Sequence, residues 1–312
     1  MSDGNSDETT TEGRHRPSFR LLAVLVVLVL AAAGAAIWKR IHHAPHELPF
    51  PPAGDPALAE EPDGARILEL RAEAVAMVRK LVERFPDSPD AVAVLAQLHY
   101  RFGDSRAALV CWQHALELDP GYLDAYSKMA YVWKERGNYE RAETCLRSVL
   151  RRAPAALSAR IDLAEVLLDQ GRADEAVTLL EELDSSDPRA AAGFVLLGQA
   201  YLLRRDYGRA RDCFEQAVRI APKYPNAYHG LATACARLGE ADQARRFRER
   251  FETLKSRGTH DPGGALRDLN SMRRALYNVH AAAAKVYLAQ GERAEAERHW
   301  RRAAEVESDA LK

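Results

Sequence analysis

The stretch FVLLGQAYLLRRDYGRARDCFEQAVRIAP, residues 194–222, holds two amphipathic patterns back to back. Phe194, Leu197 and Tyr201 recur at helical spacing, and Phe214 with Ala217 do the same in the second half. Small residues stand at Gly198 and Ala210. A larger side chain at such a position would force two crossing helices apart. Pro222 stops the second helix. The passage reads as a helical hairpin with too little core of its own, so its remaining apolar surface needs a neighbour.

Neighbours stand on both sides. Pro86, Pro120, Pro154, Pro188 and Pro222 keep one constant interval of about 34 residues, a period of helical solenoids. Gly103, Gly137 and Gly171 keep the same interval, resumed by Gly239, with Arg205 in the gap. Ala108, Ala142, Ala176, Ala210 and Ala244 follow it too. Leu95, Met129, Leu163, Leu197 and Leu231 fill the first helix of each unit; Trp112, Leu146, Leu180 and Phe214 fill the second. Units start near residues 89, 123, 157, 191 and 225, and a sixth resumes near 277 with His280, Tyr287, Gly291, Ala296, Trp300 and Ala303 in register. A lone helix over 65–85 keeps Ala74, Val78 and Leu81 in the second-helix pattern and is expected to cap the stack. In unit five Arg248 takes the aromatic slot, and the apolar stripe moves to Phe247, Phe251 and Leu254. Gly258–Gly264 breaks the chain and a long helix runs from about Ala265 to Gln290. An insertion over about 259–276 thus separates units five and six and reads as a tolerated loop insertion, a hinge or a partner-contacting elbow. The last helix is expected to turn Glu295, Arg298, Arg301, Arg302 and Glu305 outward as the polar end of the stack.

Composition narrows the function. Of 312 residues 47% are hydrophobic and 29% charged, which excludes wholesale disorder. A net charge of -1 gives no global pull toward nucleic acid. The basic run Arg245–Arg250, with Arg273 and Arg274, is interleaved with Glu249, Glu252 and Asp268 and reads as an ion-paired helix face. Four cysteines without a CxxC pair exclude a disulfide scaffold and a zinc ribbon. Cys111, Cys145 and Cys213 share one repeat position, about 10 Å from one unit to the next, which is beyond disulfide reach. A small, partly buried filler slot explains them. His42, His43 and His46 lack the supporting shell of a metal site. No phosphate loop, nucleophile elbow or HExxH is present. We expect no catalytic residue, no metal and no cofactor.

Leu21–Trp38 is an unbroken apolar run, preceded by Arg14, Arg16 and Arg20 and followed by Lys39 and Arg40. At 1.5 Å per residue it just crosses a bilayer core. The rival reading is a cleavable signal, since Ala31–Ala36 offers A-x-A sites. The acidic n-region and the continuation to Trp38 favour an uncleaved helix. The flanking cations place residues 1–20 in the cytoplasm and the bulk of the chain outside it, in a bacterial periplasm or a similar space. Residues 39–63, dense in proline, read as an extended stalk.

The repeat residues resemble the tetratricopeptide repeat family, whose pattern is nearly complete in Phe194, Leu197, Gly198, Tyr201, Ala210, Phe214, Ala217 and Pro222. The resemblance implies an all-α, right-handed superhelical solenoid over residues 64–312, and the apolar run Leu21–Trp38 adds one transmembrane helix before it. It further implies that protein or peptide clients lie along a concave face lined by the first helices. Mapped unit by unit, that face offers Gln97, Tyr100 and Arg101; Ser127, Tyr131 and Lys134; Ile161, Glu165 and Leu168; Val195, Gln199 and Leu202; Asn226, His229, Thr233 and Arg237. The lysine–asparagine carboxylate clamp of some members is absent. Ile161, Leu168, Val195 and Leu202 are expected to be partly exposed, an apolar middle suited to an amphipathic or partly unfolded segment. The resulting expectation is a membrane-anchored, non-enzymatic scaffold or assembly factor. Two alternatives are a subunit resembling those that present apocytochrome during cytochrome c maturation and a protein associated with glycosyl transfer.

The topology yields the first prediction. A reporter fused after Lys312 should be active only outside the cytoplasm, and carbonate washing should leave the full-length chain with the membranes. A soluble form starting near Ala36 would instead reveal a cleaved signal.

Overall fold

The computed structural model describes residues 48–55, 58, 63–256 and 268–310. The tail, the apolar run Leu21–Trp38, the histidines at 42, 43 and 46 and most of the proline-rich stretch lie outside the described residues. Among the described residues no helix is long and apolar enough to cross a membrane. The chain divides into a unit ending at Pro49 and a second one running from Phe50, which holds every described helix.

The second unit is built of helices alone among its described residues: α1 (Gly64–Arg84), α2 (Pro89–Arg101), α3 (Ser105–Leu118), α4 (Leu123–Glu135), α5 (Tyr139–Arg152), α6 (Leu157–Asp169), α7 (Ala173–Leu180), α8 (Ala190–Leu203), α9 (Tyr207–Ile220), α10 (Pro225–Arg237), α11 (Ala241–Ser256), α12 (Leu269–Ala289) and α13 (Arg293–Ala310). From α2 to α11 successive helices pair into hairpins, and each hairpin stacks on the next. The turn within each hairpin needs one residue of positive φ, which glycine adopts freely. Gly103, Gly137, Gly171, Gly239 and Gly291 take it, and Arg205 takes it at φ 61° in the unit that lacks the glycine. A short polar residue then caps the following helix: Asp104, Asn138 and Asp206 each accept a hydrogen bond from the backbone N–H three residues on.

The predicted register holds. Trp112, Leu146, Leu180 and Phe214 are fully buried in the second helices, and Leu95, Met129, Leu163, Leu197 and Leu231 are buried in the first. Phe214 explains the small residues beside it. A Cβ at Gly198 would lie 2.7 Å from its ring, and one at Gly230 would lie 2.3 Å from it. No alanine fits either place unless the ring moves. The second helix of unit three is cut short at Leu180, and Glu181 follows as its cap residue. Beyond it Asp184 accepts from Ser186, and Asp187 from Arg189, turns that compete with helix.

The order of helices in space departs from the order in the chain. Chain order placed the sixth unit after the fifth and made the lone first helix a cap. Instead α12 packs on α1 and α2, at the opposite end of the array from α11. The physical reason lies in α1. It carries the apolar stripe of a second helix, with Ala74, Val78 and Leu81 fully buried, and no first helix precedes it in the described chain. α12 takes that place, and α13 covers the other side of α12. Residues 269–276, expected to belong to an insertion, form its first two turns, with Met272, Ala275 and Leu276 buried. Only residues 257–267 lie outside the described structure here.

Polar contacts fasten the returning hairpin. Glu73 on α1 accepts from Arg302 Nε at 2.7 Å and from Arg302 Nη2 at 2.8 Å, a bidentate pair. His280 Nε2 lies 3.3 Å from the same carboxylate. His280 Nδ1 and His299 Nδ1 are 2.8 Å apart, so one of them must be an unprotonated acceptor. His299 stacks on Tyr287, which meets Phe85 edge-on at 5.2 Å. Arg84 pairs with Glu292 at 2.9 Å. Arg302, expected on an outer polar face, thus points inward. The end of the proline-rich stretch is also not a free stalk. Leu58 is buried, Arg71 Nε donates to the Pro52 carbonyl at 3.1 Å, and the Arg79 guanidinium lies 4.6 Å from the centre of the Phe50 ring.

The fastening should respond to acid. Burial, and then the neighbouring His280, hold His299 down to about 4, against an ordinary value of 6.5. Hydrogen bonds from Arg302 and then His280 hold Glu73 down to about 2, from an ordinary 4.5. Below pH 6.5 an undocked His299 takes up protons that the docked one refuses, so its contribution falls between pH 6.5 and 4. That of Glu73 is full above 4.5 and falls toward 2. Amide exchange of α12 and α13, corrected for intrinsic rates, should therefore be faster near pH 5 than near pH 7. The amides of α5 to α10 should be unaffected. Arg302→Ala should produce the faster exchange already at neutral pH.

Candidate functional site

The first helices α2, α6, α8, α10 and α12 form an inner layer, in which α12 packs on α2 and α8 packs on both α6 and α10. The open face of this layer, continued by α4, carries the expected groove. Its residues fall into three groups.

At one end α12, α2 and the start of α4 enclose a cavity of about 450 Å³. Its floor is small and apolar, with Ala93, Val94, Ala282 and Val286; Asp90, Asp124 and Lys285 stand at its rim. Tyr122 donates to Asp90 at 2.9 Å, and burial, then Asp90, push its phenol well above the ordinary range. Of the expected residues only Gln97 lines this cavity.

In the middle the side chains contact one another. Tyr100 donates to Glu135 at 2.8 Å and meets Tyr131 edge-on at 6.0 Å. Burial, followed by Glu135, raises the Tyr100 phenol. Lys134 pairs with Glu165 across α4 and α6 at 2.7 Å. Tyr131 remains 50% exposed, a flat aromatic face open to solvent. Arg101 is partly desolvated, and its Nε is buried without a hydrogen-bond partner. Ser127 spends its hydroxyl on the Leu123 carbonyl, 3.2 Å away. Ile161 is half-buried, as expected of an apolar groove floor.

At the other end Leu168, Gln199, Leu202, Thr233 and Arg237, all expected from the repeat register, surround one open cavity of about 720 Å³. Thr233 and Arg237 continue into a second cavity of about 390 Å³ with His229, Arg248 and Phe251. Asn226 is exposed and lines neither.

One expectation fails. Val195 is 3% exposed and belongs to the core. Its helix α8 is flanked on both sides by first helices, and their packing closes over it. Several residues of the site escaped the sequence reading. Leu203, 59% exposed beside Leu202, is the most solvent-facing aliphatic at the groove. Arg205 could have been found, because an arginine in the glycine slot of a turn is itself a signal. Nothing local to α12 indicated that it would line the first cavity. The cysteines are free, and burial raises the Cys111 and Cys213 thiols to about 12 and those of Cys145 and Cys235 to about 11, as befits packing residues.

A sequence profile of the tetratricopeptide repeat matches residues 135–197 and 201–250, and a second such profile matches 278–302. The chain carries tetratricopeptide repeats. MamA from Desulfovibrio magneticus RS-1 has a similar solved structure: TM-score 0.50 at 20% identity, covering 55% of this chain and 97% of that one. PilW, titled a widely conserved type IV pilus biogenesis factor, is similar with TM-score 0.50 at 16% identity, covering 68% of this chain and 90% of its own. At these identities the likeness concerns the fold. Among curated proteins, bimA of Emericella nidulans is 33% identical over 58 residues, 19% of this chain, and the match spans 7% of that protein's length.

The division between core and groove gives a direct test. Val195→Ala should cost about 1–3 kcal/mol in chemical denaturation. Leu202→Ser, on a half-exposed side chain, should cost less than about 1 kcal/mol.

Proposed function

We propose that the protein is a membrane-anchored scaffold or assembly factor that holds segments of client proteins along the inner face of its tetratricopeptide array, outside the cytoplasm. Such repeats generally act as protein-binding scaffolds rather than catalysts. One observation carries the binding part of this reading. Five residues from three successive units, Leu168, Gln199, Leu202, Thr233 and Arg237, converge on one open cavity of the inner layer. Exposed Leu203 and Tyr131 extend the surface without strengthening the core. Large side chains left in water beside a cavity are a solubility cost that a purely structural array has no need to carry.

The anchor rests on the sequence alone, on Leu21–Trp38 and its flanking cations. Its role would be to raise the local concentration of the groove near membrane clients, so that modest intrinsic affinity suffices. A groove formed before the client arrives also spares the entropy of ordering it.

Photo-crosslinking tests the reading. A crosslinking amino acid at Leu202 or Tyr131 in the intact chain, in native membranes, should capture a restricted set of proteins, each through one mapped segment. The same group at Val110, exposed on a second helix, should capture none of them. Equal capture from both faces would sink the proposal.

A further inference from the structure

We infer that the α8–α10–α11 end of the groove selects an acidic, aliphatic client segment, holding its carboxylates with Arg237, Arg248 and Arg205. This deepens the proposed function and rests on it.

Three observations point the same way. The two adjoining cavities share Thr233 and Arg237, so they form one continuous surface. Its polar lining contains three arginines and a single carboxylate, Asp169. Several other arginines on this part of the array are paired: Arg204 with Asp174, Arg209 with Asp206, Arg211 with Glu240, Arg245 with Asp242. Among the described residues Arg205, Arg237 and Arg248 are in no salt bridge. Three unpaired guanidinium groups around one concavity that holds a single carboxylate give this surface its positive bias.

The backbone supplies the third observation. Each other turn of this class uses glycine, whereas Arg205 occupies the left-handed region at φ 61° and keeps its side chain at the cavity. Such a conformation disfavours residues that carry a Cβ. Arg248 is likewise out of pattern. It stands where earlier units place a buried Trp112, Leu146, Leu180 or Phe214, and it is exposed beside Phe251 and His229.

The apolar half of the surface is aliphatic. Leu168, Leu202 and Leu203 line the larger cavity next to the cations. A segment that alternates carboxylates with leucine-like side chains would meet both halves. Guanidinium groups bind carboxylates in paired, planar hydrogen bonds, and a partly enclosed surface strengthens them relative to open water. A basic segment would bring like charges together here and be rejected. The opposite end of the groove, with Asp90 and Asp124 against Lys285, lacks this bias, so the selection is local.

The experiment uses the full chain in detergent micelles and three short, end-blocked fluorescent peptides. The first combines glutamate and leucine; the others replace every glutamate with glutamine or lysine. Fluorescence anisotropy should give about tenfold tighter binding of the glutamate peptide than of the glutamine peptide at low salt. Rising salt should narrow the difference. Arg237→Glu with Arg248→Glu should abolish that preference and transfer it to the lysine peptide, with an unchanged circular dichroism spectrum and melting temperature. Arg245→Glu, at a paired and exposed site, should leave the preference intact. If the glutamate and glutamine peptides bind equally, or the double reversal changes nothing, the charge selection is overturned. In that event Leu202→Ser decides the broader reading: weaker binding of all three peptides keeps the groove as a client site, and unchanged binding removes that as well.

Discussion

A second helix of a repeat hairpin buries its apolar stripe partly against its own first helix and partly against the next one. α1 has the stripe without a first helix before it among the described residues, and this deficit governs the architecture. Left alone, Ala74, Val78 and Leu81 would face water at one end of the array. The chain resolves the deficit from its far end, returning α12 to fill the missing place and α13 to cover α12. The Glu73–Arg302 pair, with His280 and His299 beside it, then sits where a carboxylate meets two helices drawn from a distant part of the sequence. Partly buried groups of this kind add little net stability while they are satisfied, but they penalise every misaligned docking. Apolar burial brings the hairpin back, and the polar cluster fixes its register.

The groove follows from the same return. α12 forms one wall of the first cavity, with Val279, Ala282 and Val286 facing Ala93 and Val94 of α2. At the other end α11 receives no further hairpin among the described residues, and Phe251 is half-buried and Arg248 exposed. One end of the inner layer is thus completed by the chain itself, while the other presents an unfinished surface. Specific binding belongs where packing has been left incomplete, because a layer already closed has nothing to offer a client.

Much of this was legible in the amino-acid sequence, and the part that was not has a common cause. The spacing of Pro86 to Pro222 and the alternation of small and large residues disclosed the hairpins, their register and the core side chains. These are consequences of contacts between residues close in sequence. Gly198 could be assigned from its place in the repeat, whereas Gly230, which faces the same Phe214 ring, showed its role only in the structure. Of the residues assigned to the inner face, Leu168, Gln199, Leu202, Thr233 and Arg237 line one cavity. Val195 was misread because helical periodicity alone does not separate a residue facing the groove from one turned toward the adjacent first helix. The placement of α12 was invisible for a stronger reason. Its pattern fits any position in the stack, and only the unmet stripe of α1, together with Glu73, decides among them.

The separation of Glu73 from Arg302 by 229 residues also sets an order in time. Chains emerge from the ribosome beginning with their N-terminus, and local hairpins close as soon as both helices are available. α2 to α11 can therefore assemble stepwise while synthesis continues. α1, made first among these helices, must wait for almost the entire chain before its partner exists. Throughout that interval the part of its apolar stripe that α2 does not cover is exposed, and the long sequence separation from α12 makes the final closure the slowest of the contacts to form. The earliest helix to be translated is thus the last to be completed, and a nascent chain released too early would carry an open end that invites association with other chains.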